Sequence, residues 1–405
     1  MRPLRILTIH RYYWPDAPPY ASLLRAIVAR WSASGHHVDV LTSQPSYKPE
    51  LANERRASRE QVDAATVHRI AMRPDRSGRG RRVLNLVRFP ALVAWRILRG
   101  PRYDVVMCST APPVLLGAAV SWAAHRRGAT FVYHCMDVHP EIGTISGEFA
   151  NPWVRRMLLA LDRAACRRAA AVVVLSGDMR DSLLRRDPAL VDRIVVINNF
   201  DLPDFDATSV PTPLAASPDR LRVVFTGNIG RFQALEPIVS ALLEGEGPDD
   251  VELVLMGEGG AKADLVRRVE AAPADRRSRV RFLPHGSPTE ARALAETADL
   301  GLVSLTPGVI AYAYPSKTAT YLAASLPVLL AVDAGSELAR TVAEAGVGAV
   351  LPGDAAGIRR VLSDLAARRD DLAAMRVRAR EVWAKEFSAE ETLPRWDGLL
   401  ERVTS

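Results

Sequence analysis

The sequence predicts an α/β chain folded as two domains, each a doubly wound parallel sheet, with a cleft between them. Three observations predict it. Short β-branched and apolar runs alternate with stretches of helical apolar spacing through both halves of the chain, a pattern that builds right-handed βαβ units. A segment rich in Pro, Asp, Ser and Ala, DLPDFDATSVPTPLAASPD at 201–219, interrupts the alternation as a linker does. The length, 405 residues, suits two such domains. The expected boundaries are a first domain at 1–200, the linker at 201–219, a second domain at 220–386 and a closing helix at 387–405.

In the first half, Leu4 to His10 reads as a buried strand, followed by the loop HRYYWPDAPPYA. Leu23, Leu24, Ile27, Val28 and Trp31 give Ser22 to Ser34 a helical stripe, which Gly35 ends. His37 to Thr42 is the next strand, Glu50 to Asp63 is polar and reads as loop or short helix, and Thr66 to Met72 is a strand. Gly78 to Arg102 is basic with an apolar stripe. Strands are expected at Asp104 to Ser109, Thr130 to His134, Ala171 to Leu175 and Ile194 to Ile197. Helices are expected at Val114 to Arg126, Trp153 to Ala169 and Asp178 to Arg185. In the second half the strands are 222–226, 251–256, 280–283, 300–303, 327–331 and 348–351. The helices are 234–244, 261–271, 288–296, 317–324, 336–345, 355–368 and 370–386, then Ala389 to Val403.

Hydrophobic residues make up 48% and charged residues 24%, the balance of an ordinary water-soluble protein. The net charge of +7 favours anionic partners: phosphorylated substrates, an acidic membrane face or nucleic acid. Cys108, Cys135 and Cys166 lack metal-type spacing, and an odd number without a framework points to a reducing cytoplasm. No signal peptide is expected, because MRPLRILTIH runs straight into a strand. The apolar region from Val114 to Ala124 is too short to span a bilayer.

Several stretches can carry chemistry. LRVVFTGNIGRFQALE, 221–236, is a strand, a glycine turn and the expected start of a helix. Gly227 and Gly230 permit a sharp bend, and a helix N-terminus seats a phosphate. Arg231 at that end is unfavourable on dipole grounds unless an anion lies between. Met256, Gly257 and Glu258, in LVLMGEGGAK, repeat the pattern. Pro315-Ser316-Lys317 opens another helix, with Ser316 a candidate cap and Lys317 a second phosphate ligand. In the first domain, TFVYHCMDVHPEIG sets His134, Asp137, His139 and Glu141 just past a strand's carboxyl end, where catalytic groups cluster in doubly wound sheets. Histidine can shuttle protons and a carboxylate can act as base; capping and turn chemistry is the plainer alternative. No glycine occurs between His10 and Tyr20, which argues against a nicotinamide-dinucleotide site, and no GxxxxGK[ST] is present. Asp204 and Asp206 have the spacing of a metal-binding pair but read as solvated turn residues of the linker.

Taken together, HRYYWPDAPPYASLL, SGHHVDVLTSQPSY, MDVHPEIG, TGNIGRFQALE, LVLMGEGGAK and YPSKTATYLAASLPVLL resemble, in order, the family 4 glycosyltransferases. The likeness is greatest to bacterial polysaccharide amino-sugar transferase-like members. It implies the GT-B architecture of two Rossmann-like domains facing a central cleft. It implies a nucleotide-diphosphate sugar bound to the second domain, an acceptor on the first, transfer with retention of configuration, no metal and no cofactor. Carried over by motif, Gly227, Asn228, Gly230, Arg231, Ser316 and Lys317 lie along the diphosphate. Met256, Gly257, Glu258 and His285 surround the base, and Thr320 stands at the ribose position. Asp137, with His134, Arg231 and Lys317, forms the catalytic set. Tyr12, Tyr13, Trp14, Asp16, Tyr20, His139 and Glu141 face the acceptor or sugar.

The chain departs from the family pattern in places. Pro18, Pro19 and Tyr20 replace front-loop glycines, Met136 replaces a histidine, Thr320 a glutamate and Ser325 a glycine. Thr320 offers one hydrogen bond where a carboxylate offers a bidentate clasp. Met136 and Thr320 motivate a rival reading, a non-catalytic sugar-nucleotide-binding subunit. The acceptor is either a lipid-linked glycan precursor or a small soluble metabolite. The basic stretch at 79–102 docks on an acidic membrane face or is a first-domain helix with arginines on its solvent side. Nucleic acid is disfavoured, because aromatic and basic residues are not interleaved as a single-strand platform requires.

Overall fold

The computed structural model describes residues 2–16, 18–46, 55–72, 79–145, 147, 149, 151–201, 214, 215, 217, 219–245 and 248–405, with the side chains of 79–83 left aside. Asp204, Asp206 and most of the 201–219 segment lie outside the described residues. The chain forms two compact units: Met1–Leu202 with Tyr312–Tyr314 and Thr392–Ser405, and Pro203–Ala311 with Pro315–Glu391.

The first unit holds an eight-stranded sheet: β1 (Arg5–Ile9), β2 (His37–Ser43), β3 (Arg59–Val62), β4 (Ala65–Ile70), β5 (Val105–Ser109), β6 (Thr130–His134), β7 (Ala171–Val174) and β8 (Ile194–Val196), in the order β3-β4-β2-β1-β5-β6-β7-β8. All pairings are parallel except β3 with β4. Arg59–Val62 was expected to be loop or helix. It forms a strand because Glu60 and Gln61 alternate with partners on β4, and Glu60 takes the guanidinium of Arg69 at 2.5 Å. The first helix begins at Pro19 rather than Ser22, because Pro19 supplies helical φ at a position that needs no N–H.

The second unit holds β9 (Leu221–Thr226), β10 (Val251–Met256), β11 (Val280–Leu283), β12 (Leu300–Ser304), β13 (Val328–Ala331) and β14 (Gly348–Val350), all parallel, in the order β11-β10-β9-β12-β13-β14. Every residue of β10 is buried. Such strands read as continuous apolar runs because helices cover both faces. The exception on β10 is Glu252, which takes the buried Arg222 of β9 at 2.6 Å, its register partner. Each fully buried aliphatic side chain stabilises the unit by about 1.5–3 kcal/mol relative to exposure.

Two local features differ from the sequence expectation. Arg231 begins a short 3-10 turn, Arg231–Gln233, and the α-helix starts only at Glu236. Ala234 lies at φ +41°, which breaks the helix, and Pro237 restricts the residue before it. Ser316 precedes the helix Lys317–Ala323, but its side chain makes no capping bond. It sits at helical φ and ψ (−58°, −22°), where a cap needs extended backbone.

The C-terminal end of that helix is closed by a Schellman pattern. The Leu326 N–H bonds the Tyr321 carbonyl at 2.9 Å and the Ser325 N–H bonds Leu322 at 3.0 Å, with Ser325 at φ +54°. A serine therefore stands at a left-handed position that favours glycine. Ser325→Gly is expected to stabilise the protein by about 1 kcal/mol, read from a denaturant midpoint. The opposite outcome is expected at Gly257, where an added Cβ would stand 1.8 Å from the Gly227 carbonyl oxygen. Gly257→Ala is expected to cost about 1–3 kcal/mol in the same measurement, while Gly260→Ala, with open space around it, serves as control.

Candidate functional site

In the second unit the strand order reverses between β9 and β12, and ligands of doubly wound sheets bind outside the carboxyl ends at such a reversal. Three segments meet there. The turn after β9 runs from Gly227 to Arg231, and the turn after β10 from Gly257 to Gly260. They are zipped together by backbone bonds: Gly227 N–H to Met256 O at 2.8 Å, Ile229 N–H to Glu258 O at 2.8 Å and Ala261 N–H to Ile229 O at 3.0 Å. A Cβ on Gly259 would stand 2.3 Å from the Ile229 oxygen, so this contact needs glycine. Among the described residues, the N–H groups of Asn228, Gly230 and Arg231 have no backbone carbonyl partner.

The third segment is the helix start at Lys317. Its Nζ lies 4.1 Å from the Phe225 ring centroid and donates to Gln233 Oε1 at 3.4 Å. Gly227, at φ +110°, leaves the room it occupies: a Cβ there would sit 3.3 Å from Lys317 Cε. Among the described residues no carboxylate pairs with this ammonium. Desolvation lowers its pKa to about 8. Tyr321, one helical turn on, accepts the Thr226 N–H on its hydroxyl at 3.0 Å and fastens the helix to the end of β9.

Around this centre Asn228, Arg231, Glu258, His285, Ser316 and Thr320 are exposed. Glu258 is held by Lys262 at 2.5 Å, and Lys262 also donates to the Gly257 carbonyl at 2.9 Å. Met256 is buried, its sulfur 2.9 Å from where a Gly286 Cβ would stand, so it forms the floor beneath the His285 loop. Gln233, Phe225 and Tyr321 were not foreseen. Their link to Lys317 and Thr226 is made by the fold, across 84 and 95 residues for the two hydrogen bonds. No spacing in the sequence announces it.

In the first unit the strand order reverses between β1 and β5. His10, just past β1, and Ser109, at the end of β5, bond through Nδ1 and Oγ at 2.5 Å. Tyr20 bonds His134 Nδ1 through its hydroxyl at 2.9 Å, and Trp396 packs 4.7 Å from the His134 ring. Burial pulls the His10 pKa down to about 3, aided by His134 and Arg11, and burial alone takes His134 to about 3. His134 is therefore a neutral ring sealed among aromatics, 2% exposed, which overturns its expected role as a proton shuttle to substrate.

Asp137 follows β6 and is half-buried. Its backbone bridges to Ala313, and the Val138 N–H bonds the Tyr312 carbonyl at 2.7 Å. Burial raises its carboxyl to about 6. His139 is half-buried, with its pKa lowered to about 4 by burial. Glu141 does not present a free carboxylate: Arg186 takes it at 3.3 Å and Asp162 at 2.5 Å.

The front loop also departs from its expected role. Tyr13 is fully buried and Asp16 is 2% exposed, accepting the Ser46 N–H at 3.0 Å, so both fasten the loop rather than meet a ligand. Trp14 is half-buried under Arg25 and Arg56, 5.6 and 4.7 Å from its ring, and Tyr12 is half-buried beside Arg11. A hollow of 770 Å³ opens instead at the amino ends of β1, β2 and β4. There Asp39 accepts from Tyr103 at 2.8 Å and lies 3.6 Å from His68, so it is lined by groups already paired.

Known proteins resemble this chain in sequence and in fold. Residues 20–199 match the glycosyl transferase 4-like domain. Over 278 residues the chain is 27% identical to a Pseudomonas aeruginosa protein named as glycosyltransferase WbjE, covering 66% of this chain and 67% of that one. It is 24% identical over 352 residues to the Escherichia coli K12 protein named as colanic acid biosynthesis glycosyl transferase WcaI, covering 83% and 85%. Its fold is shared with Anabaena HepE, solved with UDP and with UDP-glucose. For the UDP complex the TM-score is 0.67 at 15% identity, covering 98% of this chain and 100% of HepE. By its matched domain and its fold, the chain is a glycosyltransferase of GT-B architecture that resembles those of family 4.

Proposed function

We propose that this glycosyltransferase takes a hexosyl group from a nucleoside diphosphate and passes it, with retention and without a metal, to the hydroxyl of a lipid-linked glycan precursor. The observation that carries the donor side is Lys317, an ammonium partly stripped of water, with no carboxylate partner among the described residues, at the reversal of the β9–β12 strand order. A cation desolvated without an acid is held ready for an anion. HepE, with the same fold, is solved with UDP-glucose. The name of WcaI supports a polysaccharide precursor as acceptor.

In this mechanism the diphosphate lies along Gly227, Asn228, Gly230 and Arg231. Lys317 and the N–H groups of that turn stabilise the charge that grows as the anomeric carbon–oxygen bond breaks. The acceptor oxygen bonds to the same face of the anomeric carbon, and Asp137 takes its proton. With a carboxyl raised to about 6, Asp137 is ionised at neutral pH yet basic enough to accept a proton.

Titrating UDP by calorimetry tests the donor site. Below pH 8 Lys317 is protonated and affinity is expected to be level; above it the charge is lost and affinity falls with each pH unit. Lys317→Ala is expected to weaken UDP about 10–100-fold at neutral pH, the worth of a charge-assisted hydrogen bond. Lys317→Arg should abolish the pH dependence. No UDP, GDP, dTDP or ADP binding at all would overturn the reading. For the acceptor side, transfer by the wild type is expected to fall as pH drops through about 6. Asp137→Asn should lower turnover by about 10²-fold or more and remove that limb while leaving UDP binding intact. UDP binding with no transfer by the wild type to any lipid-linked acceptor would favour the non-catalytic reading.

A further inference from the structure

Three helices lie side by side on one face of the first unit's sheet: Arg79–Arg99 packs on Leu115–Arg127, which packs on Pro152–Arg168. Right-handed crossovers that all advance in the same direction along the sheet place their helices on the same face. The outer surface of this layer has an unusual composition. Among the described residues, seven of the ten exposed large apolar side chains stand on it: Leu84, Val87, Trp95, Trp122, Trp153, Val154 and Met157. Trp153 is 75% exposed and Trp95 51%.

The charge on these helices has one sign. The three helices carry six, two and five arginines in turn, and their only acid, Asp162, is buried against Arg186. Arg88, Arg96, Arg99, Arg126, Arg155 and Arg156 are exposed between the apolar groups. Arg99 lies over Trp95 at 5.7 Å and Arg126 over Trp122 at 5.3 Å. Yet none of the helices among the described residues is long and apolar enough to cross a membrane.

We infer that this three-helix face docks on the surface of an anionic lipid bilayer. Tryptophan places an apolar ring with a polar edge at the headgroup level, and arginine lays its stem along apolar surface while its head meets lipid phosphate. Helices bearing thirteen arginines, whose one acid is buried, match a surface whose potential is negative. A second copy of the chain fits poorly: a two-fold contact would set this face against itself, arginines on arginines. The sequence singled out only the 79–102 stretch. The fold adds Trp122, Trp153, Val154 and Met157 from two further helices.

The test is co-sedimentation of the full chain with vesicles of phosphatidylglycerol and phosphatidylethanolamine, against vesicles of phosphatidylcholine. Binding is expected to the anionic vesicles only, to be lost in high salt, and to shift tryptophan emission to the blue. Arg88→Gln, Arg126→Gln and Arg155→Gln together should weaken partitioning about a hundredfold. Trp95→Ser, Trp122→Ser and Trp153→Ser together should abolish the blue shift. Both variants should keep UDP binding and the wild-type melting transition, since every position is exposed. No sedimentation with anionic vesicles at low salt, equal sedimentation with phosphatidylcholine, or undiminished binding by both variants would overturn the inference. So would a homodimer in solution that the tryptophan variant dissolves. UDP binding is read separately, so failure here leaves the donor site standing.

Discussion

A crossover between parallel strands of one sheet is right-handed, and in each unit the chain winds first to one side of its opening strand and then to the other. The order β4-β2-β1-β5-β6 and the order β11-β10-β9-β12-β13 express the same constraint. Where the winding reverses, neighbouring loops diverge to opposite faces and leave the carboxyl ends of two strands uncovered. His10 and Ser109 occupy one such reversal, and the Gly227 turn with Lys317 the other. His10, His134, Asp137 and Lys317, each with its ionisation shifted by burial, stand at or just past carboxyl ends of strands or at the helix start beside them.

The second unit spends conformational freedom to build its end of the sheet. Glycine at 257 and 259 lets one turn lie directly on the backbone of another, and Gly227 cedes its side-chain volume to a lysine. The Arg222–Glu252 pair and the Tyr321–Thr226 bond then hold β9 and the following helix in register. Desolvation of Lys317 is a cost that a bound anion would offset. Ser325, strained at the far end of the same helix, shows that this segment is not tuned for stability alone.

Much of the fold was legible because parallel strands buried on both faces are written as apolar runs, and thirteen of the fourteen strands among the described residues were placed from such runs. Arg59–Val62 was not, since a polar edge strand has no such run and its pairing depends on a neighbour. Lys317, Gly227 and Gly257 were legible as a cation and bends following strands. Gln233 and Tyr321 were not, because only tertiary packing brings them there. The front loop misled for the opposite reason. Aromatic residues before a helix look like a ligand pocket, but Tyr13 is the core under the loop and His134 is walled in by Trp396, which arrives from the last helix of the chain. Burial of that kind depends on residues hundreds of positions away, and local pattern carries no record of it.

The unusual basic composition gives Lys317 one more property. Of 53 basic side chains only four are lysine, at positions 48, 262, 317 and 385. Arginine stays protonated and inert toward acylating or aldehyde reagents, whereas an amine with a pKa near 8 has an appreciable unprotonated, nucleophilic fraction at neutral pH. Lys262 is held in an ion pair with Glu258. A protein so poor in competing amines therefore carries a built-in address for covalent chemistry at the very turn where a donor would sit.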